Sequence, residues 1–187
     1  MELHQAIYTR RAIREFTTQA VDRTTILRLI DAAVQAPSAV NEQPWSFTVV
    51  QDKAVLGRIS TEAKAHMLRT PPKDIASHHF EQLLGDPAFD IFYRAPVLIL
   101  ISSVTSNQWA VENCTLAAQN LMLMACAEGL GSCWIGFAQS WLGTTAGKAL
   151  LGLPREHMPV APLIVGHPKS TPAPVLRKQP QVRWIGG

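Results

Sequence analysis

Residues Pro96 to Val104 read PVLILISSV, an apolar run without a charge. A strand written this way is buried on both faces, so both must be covered by other elements. A cover is encoded a few residues later. Asn107 to Glu128 reads as a long helix, apolar nearly all round and closed by Gly129. Its most hydrophobic part, Leu116 to Leu130, includes Gln119, Asn120 and Glu128 and is too short to span a bilayer, so it is expected to be a buried helix.

The remaining periodicities are weaker but consistent. Residues 3 to 8 predict a short helix with Leu3, Ile7 and Ala6 inward. Asp22 caps a second helix on which Ile26, Leu29, Ile30, Ala33 and Val34 recur at helical spacing, and Pro37 ends it. Ser46 to Val50 predicts a strand, and Asp52 opens a helix to about Met67. Residues 69 to 90, with Pro71, Pro72, Gly85 and Pro87, read as a surface excursion holding a short helix from Ile75 to Leu84. Ser132 to Phe137 and Val160 to Val165 predict strands, and Trp141 to Leu151 a helix. Beyond Gly166, the prolines at 168, 172, 174 and 180 preclude an independent core, so this tail must lie along another surface. No repeat or linker divides the chain, which gives one α+β domain with a small sheet and many helices.

Composition adds a constraint on assembly. Only 17% of the 187 residues are charged, against roughly 25% in an ordinary soluble protein, while 47% are hydrophobic. A 20.5 kDa monomer has little interior for so much apolar material, which points to a subunit interface. The net charge of +3 is too small and too dispersed for a nucleic-acid surface, although it suits an anionic small ligand. Three cysteines without CxxC spacing, and an N-terminus without the apolar core of a secretory signal, predict a reduced, cytoplasmic setting.

Several short motifs carry no chemistry. Gly143 to Lys148 (GTTAGK) is one residue short of a phosphate loop and is followed by Ala149 where a hydroxyl is needed. Gly129-Leu130-Gly131 with Gly136 follows a helix instead of joining strand to helix, so it is not a dinucleotide fingerprint. His78-His79 beside Glu81 lacks a metal-ligand spacing, and Ser38 is not in a nucleophile elbow.

Four motifs remain. Arg10-Arg11-Ala12-Ile13-Arg14 gathers three guanidinium groups whose fork geometry matches phosphate oxygens, or it is a solvated basic turn. Ala36 to Trp45 (APSAVNEQPW) offers Ser38, Asn41 and Gln43 from a loop stiffened by two prolines, a set suited to a polar heterocycle or simply a connector. Glu128 to Phe137 (EGLGSCWIGF) places glycines around a short strand, permitting close approach of a ligand or merely ending a helix. Pro162 to Pro168 (PLIVGHP) is a buried strand and its exit, followed by Arg177-Lys178 in the tail.

In this order, over positions 10 to 177, the four motifs resemble the FMN-dependent nitroreductase family. The resemblance implies a three-layer α/β/α fold, a small mixed sheet of about five strands surrounded by helices, and an intertwined homodimer. Residues 1–187 would form one FMN-binding domain, with 168–187 an extension wrapping the partner subunit. Arg10 would hold the FMN phosphate, with Arg11 in the same turn and Ala12 where many members carry a serine. Arg14 matches the basic residue at the pyrimidine edge of the ring. Pro37, Ser38, Ala39, Asn41 and Gln43 match the flavin-contacting loop from the partner. Ile135 and Gly136 match backbone beside the ring, and Arg177 the late basic residue over the phosphate. NADH or NADPH would be the reductant, and nitroaromatics, quinones or similar flat electrophiles the acceptors, in a two-electron ping-pong cycle. No side chain is assigned as a catalytic acid or base, and no metal, nucleic acid or membrane is implied. Two other readings stay open, a flavin-binding or storage protein with little turnover and a structural dimer with relic arginines.

Overall fold

A computed structural model describes residues 1–71 and 78–186, with 78–80 described by backbone alone. The elements, in chain order, are α1 (Leu3–Thr9), α2 (Arg23–Val34), a 3-10 turn (Ala39–Asn41), β1 (Trp45–Val50), α3 (Lys53–Arg69), α4 (His78–Gly85), β2 (Val97–Ser103), α5 (Ala110–Ala127), β3 (Gly131–Trp134), α6 (Gly136–Leu142), α7 (Thr145–Leu150) and β4 (Met158–Gly166). Residues 75–77 of the helix expected over 75–84, and the side chains of His78 and His79, lie outside the described residues.

Local chemistry explains most boundaries. Asp22 Oδ1 accepts from Thr25 N at 2.9 Å and starts α2. That hydrogen bond, with a second from Thr25 Oγ1 to Asp22 Oδ2 at 2.7 Å, holds the Asp22 carboxyl below its ordinary range. Asp52 Oδ1 accepts from Ala54 N and Val55 N at 2.8 and 3.0 Å and starts α3. At the end of α5, Gly129 takes φ 76°, its N–H donates to Cys126 O, and Leu130 N donates to Ala125 O. This pair of hydrogen bonds around a glycine reverses the chain into β3.

The strands form one sheet in the order β1-β2-β4-β3, each neighbouring pair antiparallel. Among the described residues the sheet has four strands where about five in a mixed sheet were expected, and the parallel pairing seen is the single bridge between Ala12 and Ser132. Strand β2 is buried along its whole length, and its side chains alternate between two cores. Val97, Ile99 and Ile101 pack with α2 and α5, whereas Leu98 and Leu100 pack with α3 and α6. Leu163 and Val165 of β4 join the first core and Ile164 the second. Three layers result.

Two boundaries differ from expectation. The run expected as a strand to Phe137 stops at Trp134, and Gly136 and Phe137 open α6. Ile135 N still reaches Pro162 O at 2.8 Å, so pairing fades into the helix start without a polar break in the sequence. The helix expected over 141–151 is two helices, parted at Gly143, with Thr144 Oγ1 capping α7 by accepting from Gly147 N at 3.1 Å. GTTAGK is therefore a helix junction. After Gly166 the chain leaves the sheet alongside residues 15–17, through Thr17 N to His167 O and Lys169 N to Glu15 O, and 171–186 is exposed and has no helix or strand.

Candidate functional site

Past α1 the chain becomes extended and runs beside β3. Ile13 N donates to Ser132 O at 3.0 Å. Ile13 is buried against Gly131, where an added Cβ would stand 2.7 Å from Ile13 side-chain carbons, so only glycine admits the turn this close. With Ile13 inward, Ala12 and Arg14 face outward and are exposed. Arg11 folds back, its Nη1 donating to Tyr8 O and Arg10 O at 2.8 Å each, while its buried Nε has no acceptor. Among the described residues the ion pair formed is Arg28–Glu128, at 2.8 Å and remote from this turn, so Arg10 and Arg14 carry charge with no carboxylate against them. Their field reaches β3. Burial pushes the Cys133 thiol up, and Arg14 and then Arg10 oppose that shift.

The turn runs between two cavities. One, about 330 Å³, is lined by Arg10, Arg11, Cys126, Ser132 and the start of the tail at Ser170 and Thr171. The other, about 310 Å³, is lined by Arg14, Met67, Tyr93, Trp134, Ile135 and Phe137, with Cys133 and Gly136 completing it. Arg14, Ile135 and Gly136 thus line one cavity. Met67, Tyr93 and Phe137 line it too, and the sequence motifs point to none of the three. The aromatic run Phe89 to Tyr93 just ahead of a buried strand was the available signal.

The loop 37–43 is held in an unusual conformation. Val40, Asn41 and Gln43 have φ of 47°, 56° and 52°, a region that β-branched valine rarely adopts. Ser38 Oγ accepts from Gln43 N at 3.0 Å, and Asn41 Oδ1 accepts from Gln43 Nε2 at 2.8 Å. Asn113 on α5 pins the loop from below, its Oδ1 accepting from Ala39 N and its carbonyl from Trp45 Nε1, each at 2.9 Å. Glu42 accepts from Asn107 Nδ2 with both oxygens, at 3.0 and 2.8 Å. Neither Asn107 nor Asn113 was legible as a pin, because each acts across more than 60 residues.

The loop and the arginine turn are not neighbours within one chain. The loop leads into β1 at one edge of the sheet, and the turn lies along β3 at the other. Three strand spacings, about 14 Å, separate those edges. Arg177 stands exposed in the tail, away from regular structure.

The model of the Nitroreductase family matches residues 7–167, and the chain belongs to that family. A protein of Archaeoglobus fulgidus that carries the provisional name NADH dehydrogenase/NAD(P)H nitroreductase is 31% identical over 90% of this chain and 87% of its own length. The 4-nitrobenzoate reductase of Pseudomonas putida is 29% identical, over 68% of this chain and 69% of its own. A nitroreductase with bound FMN from Desulfitobacterium hafniense shares the fold, with a TM-score of 0.83 over the full length of both chains at 21% identity. Among the described residues no helix is long and apolar enough to cross a membrane, and no group of His, Cys, Asp and Glu could hold a metal.

Proposed function

We propose that this protein is an FMN-dependent oxidoreductase that takes electrons from NADH or NADPH and passes them to nitroaromatics, quinones or similar flat electrophiles. The observation that carries this reading is the extended arginine turn. Arg10 and Arg14 lie up to about 13 Å apart along it, without carboxylate partners among the described residues, and border two cavities. A phosphate at one end and an electron-accepting ring at the other match that donor set.

In this reading Arg10, with Arg177 from the tail, holds the phosphate, and Ala12 offers only its backbone N–H. Arg14 places positive charge beside the ring cavity, where charge-assisted contacts favour an anionic ligand. Ile135 and Gly136 supply backbone at the cavity wall. Pro37, Ser38, Ala39, Asn41 and Gln43 belong to the loop at the far sheet edge, which reaches the turn only from a second copy of the chain, so the working form is a homodimer with 168–187 laid across the partner. FMN, when bound, supplies the two-electron chemistry. The names of the Archaeoglobus and Pseudomonas relatives support the nicotinamide reductant and the nitroaromatic acceptor.

The test uses the purified full chain. It should be yellow, release FMN and not FAD on heating, and oxidise NADH or NADPH faster when a nitroaromatic is added. FAD as the dominant species, or a colourless protein that takes up no FMN, overturns the reading. Bound FMN with no NAD(P)H oxidation leaves a flavin-binding protein without turnover.

A further inference from the structure

The cavity beside Arg14 has a wall built by the turn that precedes β2. Asp90 organises it, with Oδ1 accepting from Phe92 N at 2.9 Å and Oδ2 from Arg94 N at 3.0 Å. Tyr93 and Arg94 both lie in the left-handed region, with φ of 53° and 57°. Two successive residues there, neither of them glycine, persist only when their surroundings over-determine them. The surroundings do so. Ile91 and Phe92 are sealed in the core, Ile91 N donates to Ser60 Oγ at 3.1 Å, and Lys64 Nζ from α3 donates to Asp86 O and Phe89 O at 2.9 and 2.6 Å.

The product of this bracing is an aromatic corner. Phe89 stands edge-on to Tyr93 and Phe137, with centroids 5.8 and 6.4 Å apart. The Arg14 guanidinium lies 5.8 Å from the Tyr93 ring centroid, within the range where a ring's electron-rich face attracts a cation. Arg14 is exposed and forms no ion pair among the described residues, so a long side chain that solvent would otherwise let wander has a fixed aromatic seat.

We infer that Tyr93 is the positioning residue for Arg14: its ring, locked by the Asp90 turn, seats the guanidinium beside the cavity and so sets how strongly the site prefers reduced over oxidised flavin. The inference rests on the flavin reading above. Its test measures FMN affinity of the apoprotein by flavin fluorescence and the midpoint potential of the holoprotein. The variants are Tyr93→Asn, Tyr93→Phe, Arg14→Gln and the Tyr93→Asn/Arg14→Gln pair. Asn accepts left-handed backbone while removing the ring.

Tyr93→Asn should lower the ratio of reduced to oxidised FMN affinity about two- to fivefold, the range of an exposed cation–π contact, with a matching fall in potential. Tyr93→Phe, which retains the ring, should restore the ratio. The double variant should fall no further than Arg14→Gln alone. An unchanged ratio in Tyr93→Asn, no rescue by Tyr93→Phe, or effects that sum in the double variant overturns the inference while leaving the flavin reading intact. A wild-type protein that binds no FMN overturns both. Should Tyr93→Asn not fold, Asp90→Asn reports instead, because its amide cannot accept from both Phe92 N and Arg94 N. The same fall in ratio is then expected, and an unchanged ratio overturns the inference.

Discussion

Arg10 and Arg11 are adjacent, yet their guanidinium groups face different partners. Arg11 caps the end of α1, donating to the carbonyls of Tyr8 and Arg10, whereas no carboxylate partner holds Arg10 among the described residues. Arg10→Ala should therefore weaken FMN binding about tenfold or more, the equivalent of one charge-assisted hydrogen bond. Arg11→Ala should change FMN affinity little and show itself in stability, since it leaves the end of α1 uncapped. Titration of both apoproteins with FMN decides it, and equal losses would contradict the assigned register. Alternation along an extended segment predicts the outward Ala12 and Arg14 around the inward Ile13, but it does not separate Arg11 from Arg10, since both line the same cavity. The Tyr93–Arg94 turn was not legible. Neither residue advertises a left-handed conformation, and the carboxylate that imposes it sits at Asp90, up to four residues away.

Elements were readable where one pattern filled them. Strand β2 needed only its unbroken apolar run and helix α5 a mostly apolar one, and both lie where the sequence puts them, although α5 is not buried all round, with Val111 51% and Leu116 45% exposed. The β3–α6 boundary was not readable, because Trp134, Ile135 and Phe137 continue the apolar run through the change of conformation. The junction between α6 and α7 was hidden for a different reason. A Cβ on Gly147 would run into the Trp141 carbonyl and the Leu142 backbone, so the two helices meet at a glycine that a periodicity reading treats as neutral. Gly147→Ala should accordingly destabilise the fold by about 1–3 kcal/mol, the range for overpacking, seen as a lower urea midpoint with an unchanged slope.

The whole molecule exposes 11483 Å², whereas a compact chain of 20.5 kDa exposes about 8,800 Å². The tail adds to that exposure, with Leu176 98% exposed and Trp184 and Ile185 88% each. Apolar side chains in such positions call for a partner surface. Light scattering should find a species of twice 20.5 kDa at micromolar concentration, and a stable FMN-loaded monomer would refute the homodimer. The placement of the arginine turn and the polar loop on opposite sheet edges then has a genetic consequence. If each pocket draws its turn from one chain and its loop from the other, defects in the two features complement. A dimer pairing an Arg10→Ala chain with an Asn41→Ala chain contains one pocket with both lesions and one with neither. Two alleles that each lower activity would, expressed together, recover part of the activity that neither restores alone.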